Sequence, residues 1–483
     1  MKAQLKKVSE LLPDLTTIYI VNENTDFNLI TLNKSEKEFA IQRLKTDDYV
    51  EINSYYRWVF IYRPKTDTEK EFEELEKCRK KAYEIHQTLE KYKIDQLLII
   101  NETANKNFSI SIIEGLLLSN YKFDKYLEDK SKENRVIIKD LLVYDEKIDQ
   151  NELSEIKNLI EAVYLCRDLV NEPYNKLNSV KFSTIVYEIL KDSKVEVNIY
   201  DKNWIEEMKM GGILAVNKAS VDPPAFIELI YKPENRANEN PIIIIGKGIM
   251  FDTGGINLKI EDAMQGMKAD MSGAAIVFSV IYALQKNNIP IYTIGLMPLT
   301  DNKIGPNSIL PGDIITMMDG TTVEIISSDA EGRLILADAL AYAKKFQPFL
   351  VLDAATLTGS ARAAIGKFAS VAFSTANENI FNILKKISYY TNEKIVEFPL
   401  WDEYKELLKS EVATIKNLGS RYAGAITAAK FLQHFTNYQW IHLDIAGPAY
   451  LDNKDSYKGV GGTGYGVRLF YYFLKELIKQ NIF

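Results

Sequence analysis

The sequence predicts an α/β fold in two domains, each with a mixed or mainly parallel sheet flanked by helices, the C-terminal domain being the larger. Segments rich in β-branched residues alternate along the chain with segments of helical periodicity. The later strand-like segments are almost continuously apolar, which is typical of parallel strands covered by helices on both faces. The length of 483 residues exceeds what one ordinary hydrophobic core supports, so two domains are expected.

Residues 1–150 predict the smaller domain. Its strand-like segments include TIYIVNE, RWVFIYR and QLLIINE, which are rich in β-branched and aromatic residues. A helix between the last two segments is predicted by apolar residues at helical spacing, namely Phe72, Leu75, Ala82, Ile85 and Leu89. Residues 151–171 also have helical periodicity, which predicts a linker helix between the domains.

Residues 172–483 predict the larger domain, in which strands and helices alternate again. The strand-like segments are VEVNIY, FIELIYKP, PIIIIGKG, IPIYTIGLMP, TTVEIIS, FLVLDAATL and WIHLDIAG. Helix-like stretches such as GAAIVFSVIYALQK and LILADALAYAKKF lie between several of them. Ligands of such sheets usually bind beyond the carboxyl ends of the strands, so the polar residues at those ends are the candidates for a binding site.

Composition excludes several classes of function. The formal net charge of -7 gives no basic surface for nucleic acid. No signal peptide and no membrane span are visible, and two cysteines imply no disulfide framework, so the cytoplasm is the expected location. With three histidines and no HExxH motif, a metal site would consist mainly of carboxylates.

Charged residues cluster where apolar strands end or helices begin. They are Lys247, Asp252, Lys259, Asp270, Asp329, Glu331 and Arg333, the last three within SSDAEGRL (327–334). Unpaired buried charge is costly, and clustered carboxylates repel one another unless cations lie between them. A pair of divalent metal ions would supply those cations, so the sequence favours a two-metal site.

Structural roles compete with this interpretation. Asp270 and Asp329 each suit the N-cap of the helix that follows. In the metal-site interpretation, by contrast, Gly332 would let the backbone bend so that Asp329, Glu331 and Arg333 point the same way. Arg333 suits a salt bridge to the acids beside it. A phosphate-binding loop around Lys247 is disfavoured because GxxxxGK[ST] is absent.

The motif SSDAEGRL resembles the NTDAEGRL motif of the leucyl aminopeptidases, the cytosol aminopeptidase family. The resemblance continues through GKGIMFDTGGINLK, MKADMSGAA, DAATLTG, GAITAAKFL, HLDIAGPAY and GTGYGVRLF. It covers the C-terminal half nearly throughout and the N-terminal half thinly. The resemblance therefore implies that residues 172–483 form a catalytic peptidase domain with two metal ions.

The resemblance also implies roles for individual residues. Asp252 and Glu331 would bridge the two metals, Asp329 would complete the first site, and Lys247 with Asp270 the second. Lys259 and Arg333 would be the catalytic residues. Substrate binding would involve Lys259, Asp270, Met267, Ser327, Thr356, Leu357, Gly359 and Ala446.

The implied reaction is release of N-terminal amino acids, leucine and other apolar residues first, from peptides by attack of a metal-bridging water or hydroxide. The metals would be Zn²⁺ or Mn²⁺, with Mg²⁺ or Co²⁺ as alternatives, and a bicarbonate held by Arg333 would shuttle the proton. Lys247 would ligate as a neutral amine of depressed pKa, whereas Lys259 would stay protonated. Relatives of this kind imply a homohexamer.

The sequence departs from the family pattern in two places. Ser327 and Ser328 replace the asparagine and threonine of the usual motif, and Pro448 lies in a region that lines the substrate pocket in relatives.

Two other functions compete with the aminopeptidase. The first is a non-catalytic binding protein on this scaffold, including one that binds DNA. A two-metal phosphoesterase is the second, because it would also need clustered carboxylates.

Overall fold

The computed structural model describes residues 3–28, 30–65, 70–128 and 137–483. The chain divides into two compact units, one comprising residues up to Glu161 with Lys454–Gly459 and the other Ala162–Asn453 with Val460–Phe483. Each unit has a mixed sheet flanked by helices, so the predicted α/β class is confirmed. The boundary falls within the helix Gln150–Asn171, where a linker helix is predicted. The division into domains at residues 150 and 172 stays a prediction.

The first unit is built on a six-stranded sheet of order β1-β6-β5-β2-β4-β3 in the described residues. Its strands are β1 Gln4–Lys7, β2 Thr17–Ile20, β3 Tyr49–Asn53, β4 Trp58–Tyr62, β5 Gln96–Asn101 and β6 Asp140–Tyr144. Its helices are α1 Lys34–Arg43, α2 Glu71–Lys91 and α3 Lys106–Ser119. Neighbouring strands run parallel except β3, which is antiparallel to β4.

Helix α2 confirms the prediction that follows from the spacing of its apolar residues. Leu75, Ala82, Ile85 and Leu89 are fully buried, while most of the charged residues between them are partly or fully exposed. Burying one face of an amphipathic helix against a sheet or a second helix stabilises it more than its intrinsic propensity does. Here the second helix is α3, which packs along α2.

The second unit begins within α4 Gln150–Asn171 and contains the remaining helices and most of the remaining strands. The strands are β7 Val195–Tyr200, β8 Ala225–Tyr231, β9 Ile242–Gly246, β10 Gly248–Asp252, β11 Thr293–Asn302, β12 Ile314–Thr316, β13 Thr322–Glu324, β14 Leu350–Ala355, β15 Ser370–Ser374, β16 Ile395–Glu397, β17 Ile415–Lys416, β18 Trp440–Asp444, β19 Tyr450–Asp455 and β20 Gly459–Gly462. The helices are α5 Ser179–Leu190, α6 Lys202–Glu207, α7 Gly211–Asn217, α8 Ser272–Lys286, α9 Gly332–Ala343, α10 Gly359–Ile365, α11 Glu378–Tyr390, α12 Gly424–Gln433 and α13 Val467–Lys479.

The main sheet of this unit has the order β16-β15-β18-β14-β9-β11-β8-β7, with β10 paired to the end of β11. Its centre is parallel, from β18 through β14 and β9 to β11, and the flanking pairs β15–β18, β8–β11 and β7–β8 are antiparallel. Strands β9 and β14 are buried along their whole length, and helices α8 and α9 pack against β9 and β11. The parallel centre therefore directs the ends of β9 and β14 to one edge.

One strand assignment is wrong. The segment TTVEIIS is expected to be a strand of the main sheet, but Thr322–Glu324 pairs with β12 and β17 in a separate three-stranded sheet. A short apolar segment carries no information about which sheet it joins, because only long-range pairing decides this. Within the described residues, no helix combines the length and apolar composition needed to cross a bilayer.

Candidate metal centre

Six of the seven charged residues singled out in the sequence form one linked group at the edge where β9, β10 and β11 end. They are Lys247, Asp252, Lys259, Asp270, Asp329 and Glu331. Lys247 directly follows β9, Asp252 ends β10, and Glu331 directly precedes α9. The expectation that strand ends and helix starts bring these side chains together therefore agrees with the geometry.

Lys247 is the inner cation of the group. Its Nζ lies 2.8 Å from Oδ2 of Asp270 and 3.0 Å from Oε1 of Glu331, and it donates a hydrogen bond of 2.9 Å to the carbonyl oxygen of Thr356. All three charged side chains are at least 95% buried. This ammonium therefore holds together residues from three different segments.

Lys259 is the outer cation. Its Nζ lies 2.7 Å from Oδ2 of Asp252 and 2.6 Å from Oδ1 of Asp329. Its side chain is 15% exposed and that of Asp329 is 37% exposed, whereas Asp252 is buried. The group therefore has a closed side at Lys247 and a side that is open to solvent at Lys259.

Helix capping does not account for these acids. The N-cap of α8 is Met271 and that of α9 is Glu331, and no described side chain makes a cap hydrogen bond at either helix. Asp270 instead accepts a 2.7 Å hydrogen bond from Oγ1 of Thr356. The carboxylates face each other and the lysines, not the first turns of the helices.

The pKa values reflect this crowding. Burial, followed by the charge of Glu331, raises the pKa of Asp252 to about 6, and burial raises the pKa of Asp270 well above its ordinary value despite Lys247. Burial and Glu331 also raise the pKa of Asp329. Burial opposes the charge of Lys247, but Asp270 and Glu331 outweigh it and raise the pKa of the ammonium. The depressed pKa expected of a metal-ligating Lys247 therefore requires the cations themselves.

The donor set fits divalent metal ions. Asp252, Asp329 and Glu331 each offer a carboxylate oxygen, and these oxygens all lie within 4.8 Å of one another. Four carboxyl groups outnumber the two lysines beside them, so the centre has excess negative charge when all four are ionised, and a cation would neutralise it. Carboxylate oxygens with one amine suit Zn²⁺, Mn²⁺ or Mg²⁺.

Gly332 has a different role from the one expected. It begins α9 with Glu331 already in a helical conformation, so the prediction that Gly332 lets the backbone bend is wrong. A Cβ at this position would lie 2.5 Å from Cε and 2.6 Å from Nζ of Lys247. Glycine is therefore required because the start of the helix packs directly against the stem of the buried lysine.

Replacing Gly332 by alanine is expected to displace Lys247 from Asp270 and Glu331. Overpacking of this kind costs about 1–3 kcal/mol, so both the unfolding midpoint in urea and the bound metal should decrease. Gly359→Ala is the matched control, because no described atom lies within 4 Å of a Cβ built there. Equal unfolding midpoints and metal contents in the two variants would contradict this explanation.

Arg333 lies apart from the ion pairs. It is buried, its Nη1 donates a 2.8 Å hydrogen bond to the carbonyl oxygen of Asn417, and its Nε has no hydrogen-bond partner among the described residues. Burial lowers the pKa of Arg333 to about 10, against the attraction of Glu331 and Asp444. No described carboxylate forms an ion pair with Arg333, which argues against the salt-bridge interpretation. Its Nε is therefore a buried hydrogen-bond donor that could bind an anion.

Apart from Lys259, Asp270 and Ser327, the residues expected around the substrate lie on three segments: at Met267, from Thr356 to Gly359, and at Ala446. Thr356 and Leu357 follow β14, and Oδ1 of Asp444 accepts hydrogen bonds from the backbone N–H groups of Leu357 (3.1 Å) and Ala446 (3.2 Å). Gly359 is exposed at the start of α10, and Met267 is half-buried in the turn before Asp270. The role of these residues in substrate binding stays a prediction.

The serine pair at the start of SSDAEGRL divides into a buried and an accessible residue. Ser328 is fully buried, and its Oγ donates to the carbonyl oxygen of Gly254 at 2.7 Å. Ser327 is half-buried, and its Oγ accepts a 3.2 Å hydrogen bond from the backbone N–H of Asp329. Ser328 is therefore a structural residue, whereas Ser327 is partly open to solvent. Pro448 is buried, and its carbonyl oxygen accepts from Thr463.

Three polar residues of the site are missing from the sequence-based prediction. Asn302 ends β11 and contacts Asp252 and Glu331, Asn417 holds both Arg333 and Ser327, and Asp444 holds the loop after β14. The signal for Asn302 and Asp444 is their place at the end of an apolar strand, which is the same signal that identifies Asp252. No pattern distinguishes Asn417, which precedes a loop.

The first turn of α8 touches the ends of two strands through main-chain atoms. A Cβ at Gly273 would lie 2.1 Å from the carbonyl oxygen of Ala354 and 2.6 Å from the backbone nitrogen of Lys247. Lys247 N–H donates to Ala354 at 3.2 Å, and Ala274 N–H donates to the carbonyl oxygen of Lys247 at 2.9 Å. The start of this helix, which Asp270 precedes, is thus joined to Lys247 by hydrogen bonds of the backbone.

Comparisons with known proteins agree with this geometry. Residues 164–471 match the family described as "Cytosol aminopeptidase family, catalytic domain". The chain is 43% identical over 383 residues to a probable cytosol aminopeptidase of Chlorobaculum tepidum. This alignment covers 76% of this chain and 74% of that protein. It is 39% identical over 367 residues to one of Clostridium perfringens, covering 75% of this chain and 74% of that protein. Among solved structures, the bottromycin maturation enzyme BotP in complex with Mn is similar with a TM-score of 0.83 and 27% identity, over 97% of this chain and 100% of that one.

Proposed function

The chain belongs to the cytosol aminopeptidase family, and we propose that this metallo-aminopeptidase releases leucine and other apolar residues from the N-termini of peptides. The observation that carries the proposal is the linked group of four carboxylates and two lysines at the strand ends. A group of this composition suits two divalent cations, and its exposed side at Lys259 leaves room for a substrate.

The family resemblance implies which residues hold the metals, and their positions in this group are compatible with those roles. Asp252 and Glu331 each interact with the charges of both lysines and would be shared by both ions. Asp329 would belong to the site beside Lys259, and Asp270 with Lys247 to the inner site. When bound, two such ions polarise the scissile carbonyl and make a water molecule nucleophilic near neutral pH. Loading the inner site requires Lys247 to give up its proton, since only the neutral amine has a lone pair to donate.

Lys259 would stabilise the negative charge that develops on the carbonyl oxygen of the substrate. Burial opposes its charge, but Asp252 and the other acids raise the pKa of its ammonium, so it carries a proton at neutral pH. A fixed cation in a partly dry site stabilises an oxyanion more than water does, because it needs no reorientation during the reaction. Lys259 therefore acts as an electrostatic catalyst and not as a base.

Arg333 would hold a small anion beside the reacting atoms. Its Nε is a buried donor without a partner among the described residues, and its guanidinium plane matches a carboxylate-shaped ion such as bicarbonate. Arg333 cannot remove a proton itself, because its pKa of about 10 keeps it charged at neutral pH. If bicarbonate is held there, it would supply the base that Arg333 itself cannot be, and Arg333 would orient it beside the reacting water.

The apolar preference rests on the small and apolar residues expected around the first side chain of the substrate. Met267, Leu357 and Ala446 offer apolar surface, and the open space at Gly359 leaves room for a leucine-sized group. We further propose Zn²⁺ or Mn²⁺ as the metals, a homohexameric assembly and a cytoplasmic location, each by analogy with the family.

A direct assay separates this function from its two rivals. Purified protein should hydrolyse leucine amide faster than glutamate amide when Mn²⁺ or Zn²⁺ is present, and should leave p-nitrophenyl phosphate intact. Hydrolysis of the phosphate ester alone would identify a phosphoesterase. Hydrolysis of neither substrate, with retained metal binding, would identify a binding protein on this scaffold.

Removal of the metals is expected to abolish hydrolysis and to destabilise the fold. Without cations, the excess negative charge of the four carboxylates is left in a mostly buried site, so dialysis against a chelator should lower the thermal midpoint. Adding Mn²⁺ back should restore both, and Ca²⁺ is the control because it prefers a larger shell of oxygen ligands. Full activity after complete removal of metal, measured by mass spectrometry, would rule out the two-metal mechanism.

A further inference from the structure

We propose that Asn302 is a positioning residue that orients the carboxylates of Asp252 and Glu331 toward the metal ions. This inference rests on the proposed two-metal function. Asn302 is the last residue of β11 and is 2% exposed. Its Cα is the register partner of Asp252 on β10, after a shift of register between Ile249 and Asp252.

The side-chain amide of Asn302 contacts both acids. Its Nδ2 lies 2.8 Å from Oδ1 of Asp252, 3.4 Å from Oε2 of Glu331 and 3.0 Å from the carbonyl oxygen of Ser328. The nitrogen must face this side, because an amide oxygen against two carboxylates would be repelled. One neutral donor group thus serves both of the acids expected to be shared by the metals.

These contacts decide which oxygen of each acid remains available. Oδ1 of Asp252 also accepts a 2.8 Å hydrogen bond from the backbone N–H of Gly254, so both of its bonds fix that oxygen away from Lys259. Oδ2 is left to face Lys259 at 2.7 Å. In Glu331, Oε2 faces Asn302 while Oε1 faces Lys247 at 3.0 Å. Asn302 therefore limits the rotation of both carboxylates.

Asparagine suits this position because it donates hydrogen bonds without adding charge. An aspartate would place a fifth carboxylate against the four present, and a leucine of similar size would leave Asp252 and Glu331 free to rotate. Partners that orient metal ligands typically contribute about 10–100-fold to metal affinity. The alternative is a purely structural role through Ser328, in which Asn302 only anchors the segment before Asp329.

Mn²⁺ binding by the full chain distinguishes these roles. Asn302→Leu and the smaller Asn302→Ser should weaken Mn²⁺ binding by about 10–100-fold, with kcat for leucine amide recovering at excess Mn²⁺ and KM unchanged. Asn257→Leu is the matched control, since Oδ1 of Asn257 accepts a 2.8 Å hydrogen bond from Ser328 N–H and anchors the same segment. This control should keep the Mn²⁺ affinity of the wild type.

The outcomes separate this inference from the proposed function. Wild-type Mn²⁺ affinity in a folded Asn302→Ser variant, or equal losses in Asn302→Ser and Asn257→Leu, would overturn the positioning role and leave the two-metal function standing. Failure of the wild type both to bind Mn²⁺ and to hydrolyse leucine amide would overturn the proposed function, and the inference with it. A loss confined to the Asn302 variants supports the positioning role.

Discussion

Replacing Lys247 by arginine is expected to leave one metal ion per chain where the wild type holds two. A lysine ligates metal only as a neutral amine, and a guanidinium does not lose its proton under these conditions. The pocket also has no room for the larger head group, because the start of α9 lies against the lysine stem. Elemental analysis after gel filtration measures the ratio of metal to protein directly.

Lys430→Arg is the matched control for this substitution. Lys430 is also a fully buried lysine, with its Nζ 3.0 Å from the carbonyl oxygen of Leu400 and 3.1 Å from Asp402, but it lies outside the linked group. The control should keep two ions per chain. A Lys247→Arg protein that also kept two ions would remove Lys247 from the set of ligands.

Replacing Lys259 by methionine is expected to lower kcat while both metals remain bound. Loss of one group that stabilises an oxyanion typically costs about 10²–10³-fold in kcat, and the substrate ground state loses less, so KM should change little. Because Asp252 and Asp329 lose the cation between them, their attraction for metal ions should increase. Steady-state kinetics with leucine amide and metal analysis on the same sample test both statements.

Lys303→Met provides the comparison, since Nζ of Lys303 also lies between two aspartates, 2.8 Å from Asp301 and 3.6 Å from Asp222. Its exposure is similar, yet it does not face the metal centre. A comparable decrease in kcat for both variants would show that loss of a partly buried ion pair, and not loss of oxyanion stabilisation, slows the reaction. Loss of metal in Lys259→Met alone would make Lys259 a metal-holding residue.

The sequence predicts this site well where local order carries the information. Lys247 directly follows β9, and Asp252 ends β10, which continues along the same neighbour β11. Both residues can be identified from the sequence because each is a charged residue at the end of an apolar segment. Asp270 and Glu331 precede helices that pack on the same strands, which brings them to the same edge. Strand and helix positions in the larger unit follow from hydrophobic periodicity for the same reason.

The rest depends on contacts that no local pattern contains. The place of Asn302 at the end of an apolar strand makes it a candidate, but only the pairing of β10 with β11 puts its amide against Asp252. Glycine is needed at position 332 because the side chain of Lys247, 85 positions earlier in the chain, packs against it. The separate sheet of Thr322–Glu324 is likewise decided by long-range pairing.

The backbone contact at Gly273 has a consequence for how this site changes during evolution. Main-chain hydrogen bonds join Lys247 to Ala354 and Ala274, so the spacing between Lys247 and the start of α8 does not depend on which apolar side chains fill the core. Substitutions among those side chains can accumulate and alter stability or temperature range without moving the two elements apart. A single methyl group at Gly273 would separate them. The geometry of the charged group is therefore insensitive to substitutions among the core side chains but sensitive to any substitution of Gly273.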